Sequence, residues 1–96
     1  MTAYWVNTVM EMRDPEKVAA YAELATPAIA AAGGRFLARG VPAKAYEAGL
    51  LERQVVIVFP SVEAAVGCYE SAEYRAAMEA LGDGAVRDLR ISEGVE

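Results

Sequence analysis

The chain has 96 residues, which suits one domain and is too short for two. Acidic residues outnumber basic residues by 14 to 9, which argues against a nucleic-acid-binding protein because such proteins need a concentrated positive surface. No apolar stretch reaches the ~20 residues of a membrane span, and no secretion signal is evident, so we expect a cytoplasmic protein that binds neither nucleic acid nor membrane.

The first third of the chain predicts a strand followed by a helix. Residues 3–12 are rich in aromatic and β-branched side chains, which favour a strand, and both faces of that strand are largely apolar. Asp14-Pro15-Glu16 is typical of a helix start, because Asp caps free backbone N–H groups and Pro fits the first helical turn. Apolar residues at helical spacing extend this helix to Ala32, and Pro27 predicts a kink within it.

The segment 33–40 organises the middle of the chain. Gly33 and Gly34 predict the end of the helix, since glycine adopts a left-handed backbone without a Cβ clash. The next five residues predict a strand that closes at Gly40. Strict alternation assigns the side chains to two faces, Phe36 and Ala38 to one, and Arg35, Leu37 and Arg39 to the other.

The second half predicts two further strands, a divided helix and a weak extra strand. Residues 43–49 alternate weakly and predict the short extra strand. Residues 53–59 form the clearest strand, and its apolar run is typical of a strand that is covered on both faces. Ser61 and Ser71 each predict the start of a helical segment. Residues 86–91 alternate and predict a final strand.

This order, β-α-β-β-α-β, predicts one α+β domain over residues 1–96 with a ferredoxin-like fold. Such a fold has an antiparallel sheet with its helices on one face. Because the strands at 3–12 and 53–59 are apolar on both faces, the uncovered face would expose a larger patch than soluble monomers usually tolerate. We therefore expect a homodimer that packs sheet to sheet.

Several blocks of sequence, taken together, resemble the domain-of-unknown-function 1330 family. They extend from residue 3 to about residue 91 and comprise Tyr4-Trp5-Val6-Asn7, Asp14-Pro15-Glu16, residues 33–40, residues 56–61 and residues 69–74. The resemblance implies a dimeric α/β barrel of ferredoxin-like protomers, and it implies no established activity. Related barrels include cofactor-free oxygenases, haem-degrading enzymes, dehalogenating enzymes and isomerases, so the fold does not determine the reaction.

The composition restricts the available chemistry. Histidine is absent, which removes the usual base near neutral pH and the usual nitrogen ligand of haem. Cys68 is the single cysteine, so an intrachain disulfide is excluded, and scattered carboxylates provide no plausible zinc or iron ligand set. We expect no cofactor and no metal, and whether the protein is an enzyme stays open.

Six residues are candidates for contact with a ligand: Asn7, Tyr21, Arg39, Glu47, Tyr69 and Tyr74. Arg39 offers a fork that matches a carboxylate, although it can instead pair with a glutamate at the sheet edge or dimer rim. Asn7 lies in the middle of a strand, where a buried amide without partners costs about 1–3 kcal/mol. It either bonds to neighbouring groups or orients a substrate carbonyl or dioxygen.

The other candidates also have two interpretations. The three tyrosines either pack in the core or line a pocket between helices and sheet. Glu47 acts as a base only in apolar surroundings that raise its pKa, and it is structural beside an arginine.

Three functions follow from these patterns. The leading hypothesis is a homodimeric small-molecule-binding protein, with or without enzymatic activity, whose ligand is a compact organic acid or carbonyl compound. The alternatives are a cofactor-free monooxygenase-like enzyme and a structural or interaction module whose pocket is packed shut. A cavity lined by Asn7, Arg39 and Tyr69 would separate the first hypothesis from the last.

Overall fold

Four strands and three helices form within residues 1–95, which are the residues that the computed structural model describes. In chain order they are β1 (Ala3–Met12), α1 (Pro15–Ala31), β2 (Arg35–Gly40), β3 (Gln54–Phe59), α2 (Val62–Tyr69), α3 (Ala72–Leu81) and β4 (Ala85–Glu93). The strands form one antiparallel sheet in the order β2-β3-β1-β4. The predicted α+β ferredoxin-like fold is confirmed.

The helices begin at the capping residues that the sequence predicts. The Asp14 carboxylate accepts the backbone N–H groups of Glu16 and Lys17, at 3.0 and 3.3 Å. Ser61 caps α2 in the same way. The Ser71 hydroxyl donates to the carbonyl of Cys68 at 2.7 Å and accepts the N–H of Tyr74 at 3.2 Å. It therefore both ends α2 and starts α3, which explains why the second helix is divided.

The core lies between the helices and one face of the sheet. Trp5, Ile57, Phe59 and Tyr74 are its largest fully buried side chains. The ring centre of Trp5 lies 5.6 Å from that of Phe59 and 5.3 Å from that of Tyr74. Within β1, Trp5, Asn7 and Val9 alternate with more exposed neighbours, so they define the helix-side face.

The opposite face of the sheet is uncovered, and we call it the open face. Tyr4, Val6 and Met10 project from it and are 37%, 38% and 47% exposed. The helices thus cover one face only, as the sequence predicts. Within residues 1–95, no helix combines the length and the apolar character needed to cross a membrane.

The predicted extra strand over residues 43–49 is wrong. These residues belong to the loop between β2 and β3, which contains a turn at Glu47 and Ala48. Glu47 has a φ of 55°, in the left-handed region, and the N–H of Gly49 donates to the carbonyl of Tyr46 at 2.9 Å. A left-handed residue ends extended backbone, and the alanine-rich alternation offers little apolar surface that would favour pairing.

The predicted facing of Arg39 is also wrong, because β2 contains a bulge. Phe36 pairs with Ile57 and Ala38 pairs with Val56, so Leu37 is an extra residue in the ladder. Beyond this bulge, Arg39 pairs with Val55. Arg39 therefore shares the helix-side face with Phe36, whereas Arg35 lies on the open face.

Candidate functional site

A cavity of about 260 Å³ lies between α1 and the helix-side face of the sheet. Its walls are mainly apolar and include Trp5, Ile29 and Ile57. A small polar set also lines it, and this set consists of Asn7, Tyr21, Thr26, Arg39, Arg53 and Arg87. A mainly apolar pocket with a few convergent polar groups is typical of small-molecule sites.

Strand pairing places two of these polar residues in one row across the sheet. Arg39 on β2 lies opposite Val55 on β3, which lies opposite Asn7 on β1. Because neighbouring strands are roughly 5 Å apart, the backbones of Arg39 and Asn7 are separated by about 10 Å. The side chain of Val55 lies between them as part of the cavity floor.

A second row, one step along the sheet, contains the other two arginines. The N–H of Val9 donates to the carbonyl of Arg53 at 2.9 Å, and Val9 pairs with Arg87 on the other side. Arg53 and Arg87 thus flank Val9. The helix-side face consequently presents three arginines around Asn7 and Val9.

The lining of the cavity is positive, although the chain as a whole carries a net charge of −5. Among residues 1–95, no Asp or Glu lines it. The ion pairs within residues 1–95 lie outside the cavity and do not involve its arginines. They join Glu11 to Arg13, Asp83 to Lys17, and Asp88 to Arg90. The predicted alternative, in which Arg39 pairs with a glutamate, has no such pair in the described part of the chain.

Asn7 is the buried polar residue of the floor. It is 6% exposed, and its Oδ1 atom has no hydrogen-bond partner among the described residues. A buried polar atom without a partner costs about 1–3 kcal/mol. Since the terminal torsion of an asparagine side chain is soft, a bound polar molecule can engage this amide and recover that cost.

Tyr21 joins the cavity to a hydrogen-bonded group behind it. The Tyr21 and Tyr74 hydroxyl oxygens are 2.5 Å apart, and Arg87 Nη1 donates to Tyr21 at 2.9 Å. The guanidinium carbon of Arg87 also lies 4.7 Å from the centre of the Tyr21 ring. Burial, with a further contribution from Tyr21, raises the pKa of Tyr74 far above its usual value, so Tyr74 remains protonated.

The structure brings together three of the six predicted candidates, since Asn7, Tyr21 and Arg39 line the cavity. Tyr74 lies behind Tyr21 and does not line it. Tyr69 lies on α2, where its ring packs 5.1 Å from that of Tyr74, and it is also outside the lining. Glu47 lies in the exposed turn of the β2–β3 loop.

The six candidates predicted from sequence do not include Arg53 or Arg87, which both line the cavity. A usable signal existed for both, because each arginine is in phase with the apolar face of its strand. Arg87 alternates with Leu89 and Ile91, and Arg53 with Val55 and Ile57. An arginine at an inward-facing position is rarely buried unless a polar or charged group pairs with it.

Metal-binding chemistry has no obvious donor set in residues 1–95. No group of three or more His, Cys, Asp or Glu side chains there is arranged to hold a metal ion. Cys68 is buried, and burial raises the pKa of its thiol, so it stays protonated. What the cavity provides is hydrogen-bond donors, positive charge and apolar surface.

Comparison with known protein families identifies the family of this chain. The family model described as "Domain of unknown function (DUF1330)" matches residues 2–95. The chain belongs to the DUF1330 family. No sequence match was found among curated proteins.

Several solved structures resemble this DUF1330 protein. A protein of unknown function from Rhodopseudomonas palustris, RPA0582, has a TM-score of 0.75 at 19% identity, with coverage of 99% of this chain and 83% of that one. SnoaB, a cofactor-independent oxygenase from Streptomyces nogalater, has a TM-score of 0.63 at 15% identity, with coverage of 99% and 94%.

A third likeness is to a dimeric protein of unknown function with a ferredoxin-like fold from Bacteroides fragilis. It has a TM-score of 0.63 at 14% identity, with coverage of 97% of the DUF1330 chain and 96% of the other. At these identities the likeness supports the fold alone.

Proposed function

We propose that this DUF1330 protein is a homodimer that binds a compact organic anion in the cavity between sheet and helices. The observation that carries the proposal is a cavity lined by Arg39, Arg53 and Arg87 with no carboxylate from residues 1–95. The existence of this cavity favours the proposal over an interaction module whose pocket is packed shut.

Free donors are available for such an anion. Neither Arg39 nor Arg53 forms an ion pair with a carboxylate of residues 1–95. A guanidinium presents parallel N–H groups that bind both oxygens of a carboxylate. Because the rest of the lining is mainly apolar, the ligand is expected to be an organic acid with an apolar body and not a highly polar phosphate ester.

The test is a titration with matched charged and neutral ligands. Phenylacetate should bind measurably, and phenylacetamide, which has the same shape without the charge, should bind at least about tenfold more weakly. Arg39→Met should reduce phenylacetate affinity by a similar factor. Arg75→Met is the matched control, since Arg75 is exposed on α3 and lies outside both the cavity and the open face. Equal affinities for the two variants would remove Arg39 from the site.

A cofactor-free monooxygenase is the second candidate. It is favoured by the placement of Asn7 beside Trp5 in the cavity and by the fold shared with SnoaB, which is described as a cofactor-independent oxygenase. It predicts oxygen consumption with an electron-rich phenol, and loss of that consumption in Asn7→Ala. An oxygen electrode that records no phenol-dependent consumption by the wild-type protein would exclude this candidate.

The proposed homodimer uses the open face. Its exposed apolar residues include Tyr4, Val6 and Met10, and a partner laid on them would remove this surface from water. The structurally similar Bacteroides fragilis protein is described as dimeric, which supports a dimer here.

A further inference from the structure

Tyr21, Tyr74 and Arg87 come from three different elements and meet at the wall of the cavity. Tyr21 lies on α1, Tyr74 on α3 and Arg87 on β4. Arg87 Nη1 donates to the Tyr21 oxygen at 2.9 Å, and Arg87 Nη2 lies 3.4 Å from the Tyr74 oxygen. Arg87 Nη2 also lies 3.1 Å from the sulfur of Met78. Which of the two tyrosines donates in the hydrogen bond between them decides whether the hydroxyl proton of Tyr21 is available to a ligand.

The buried position of Tyr74 fixes that direction. Tyr74 is fully buried, so its hydroxyl proton needs an acceptor within the protein. Within residues 1–95, its hydrogen-bond partners are Tyr21 and Arg87, and a guanidinium has no acceptor. The proton of Tyr74 must therefore be donated to the Tyr21 oxygen.

The Tyr21 oxygen then accepts two hydrogen bonds, one from Tyr74 and one from Arg87. A phenolic oxygen has two acceptor positions, and both are used. The proton of Tyr21 itself has no acceptor among the described residues. Because Tyr21 is only partly buried and lines the cavity, this proton is available to a bound molecule.

Two incoming hydrogen bonds make the Tyr21 hydroxyl a stronger donor. Hydrogen bonds in a chain polarise one another, and here a cation is one of the two donors to Tyr21. Such a donor suits an oxygen that carries partial negative charge, above all a carbonyl oxygen. Arg87 directs its N–H groups toward the two tyrosines and Met78. Of the three cavity arginines, Arg39 and Arg53 are therefore the two without a side-chain hydrogen bond to residues 1–95.

We propose that the ligand is a compact oxo acid, whose ketone oxygen accepts the Tyr21 hydroxyl while its carboxylate contacts Arg39 and Arg53. This inference rests on the proposed anion-binding function and specifies the class of anion. Tyr21 polarises the ketone by direct contact, and Tyr74 and Arg87 are positioning residues that act through Tyr21.

The test compares 4-methyl-2-oxopentanoate, labelled with ¹³C at the ketone, with 4-methylpentanoate, which lacks that oxygen. The oxo acid should bind about tenfold more tightly, and its ketone carbon should move downfield in the bound state. Tyr21→Phe should abolish both the preference and the shift while 4-methylpentanoate affinity changes less than about twofold. Tyr46→Phe, which alters an exposed tyrosine, should change neither.

Tyr74→Phe tests the direction of the bond between the tyrosines. If Tyr74 donates to Tyr21, its loss weakens the polarisation and gives a smaller carbonyl shift than in the wild type. A larger preference than in the wild type would show that Tyr21 had been donating to Tyr74, which would overturn the inference. Circular dichroism establishes that each variant is folded.

The remaining outcomes separate the two proposals. Binding of both acids with equal affinity, or a carbonyl shift that persists in Tyr21→Phe, would overturn the oxo-acid inference and leave the anion site intact. Binding of neither acid to the folded wild-type protein would overturn both.

Discussion

The guanidinium carbon of Arg39 lies 4.4 Å from the centre of the Phe36 ring, on the same face of the sheet. Residues three apart on a regular strand point to opposite faces. The contact is possible because Leu37 is an extra residue in β2, which shifts the pairing between Phe36 and Ala38. This single bulge directs one arginine of the strand into the cavity and leaves Arg35 on the other side.

The proposed dimer predicts that charge on the open face causes dissociation. Val6→Lys should convert the dimer into a monomer, because a lysine at the centre of an apolar interface loses hydration without a partner. Val66→Lys is the matched control, since Val66 is 37% exposed and Val6 is 38% exposed, but Val66 lies on α2. Sedimentation equilibrium at micromolar concentration measures both, and a monomeric wild-type protein would contradict the dimer.

The environment of Asn7 predicts a trade-off between protein stability and ligand binding. Asn7→Leu replaces a buried amide that has an unpartnered Oδ1 with an apolar side chain of similar size. We expect the free energy of unfolding to rise by about 1 kcal/mol or more, measured by urea denaturation, while phenylacetate affinity falls. Asn7→Asp, which introduces a buried charge, should instead lower stability. If Asn7→Leu is less stable than the wild type, the Asn7 amide has hydrogen-bond partners in the folded protein, which contradicts this prediction.

Tyr74 predicts a loss of stability in alkali. Its pKa in the folded protein lies above the ordinary tyrosine value of about 10, because burial disfavours the phenolate. The unfolded state therefore loses the Tyr74 proton at a lower pH than the folded state does. The stability that the buried, protonated Tyr74 contributes is complete below pH ~10 and is lost as pH rises above it.

Thermal unfolding between pH 9 and pH ~11.5 measures this effect. Tyr74→Phe should flatten the alkaline decline in melting temperature, whereas Tyr46→Phe, at an exposed position, should leave it unchanged. An identical decline in all three proteins would contradict the assignment to Tyr74.

Two glycines predict opposite effects of the same substitution. A Cβ on Gly34 would lie 2.6 Å from Ile29 Cγ2 and 2.9 Å from the Phe59 ring, so Gly34→Ala should cost about 1–3 kcal/mol through overpacking. A Cβ on Gly67 in α2 meets nothing within 4 Å, so Gly67→Ala should stabilise by ~0.5–1 kcal/mol. Chemical denaturation measures both changes, and effects of equal sign would contradict this account.

The element order was predictable because its signals are local. Asp14, Ser61 and Ser71 provide caps within a few residues of the N–H groups they bind, and alternation identifies the strands. The extra strand over residues 43–49 failed because weak alternation does not distinguish a short strand from a turn with a left-handed residue.

The site was less predictable because its geometry depends on pairing between distant residues. The facing of Arg39 is decided by a bulge that shows only in the register against β3. The contact of Arg87 with Tyr21 and Tyr74 joins three elements, and no sequence spacing encodes it. Tyr21 was identifiable because helical spacing places it on the apolar stripe of α1, whereas β1 is largely apolar on both faces, so its sequence does not show that Asn7 faces the helices.

The cationic cavity belongs to a chain of net charge −5, and this contrast has a kinetic consequence. An approaching anion meets repulsion at long range and attraction only near the arginines, within about one Debye length. Added salt should therefore speed the encounter between ligand and protein while it hastens departure of the ligand from the occupied site. The protein would then capture its anion fastest at an ionic strength at which it holds that anion least tightly.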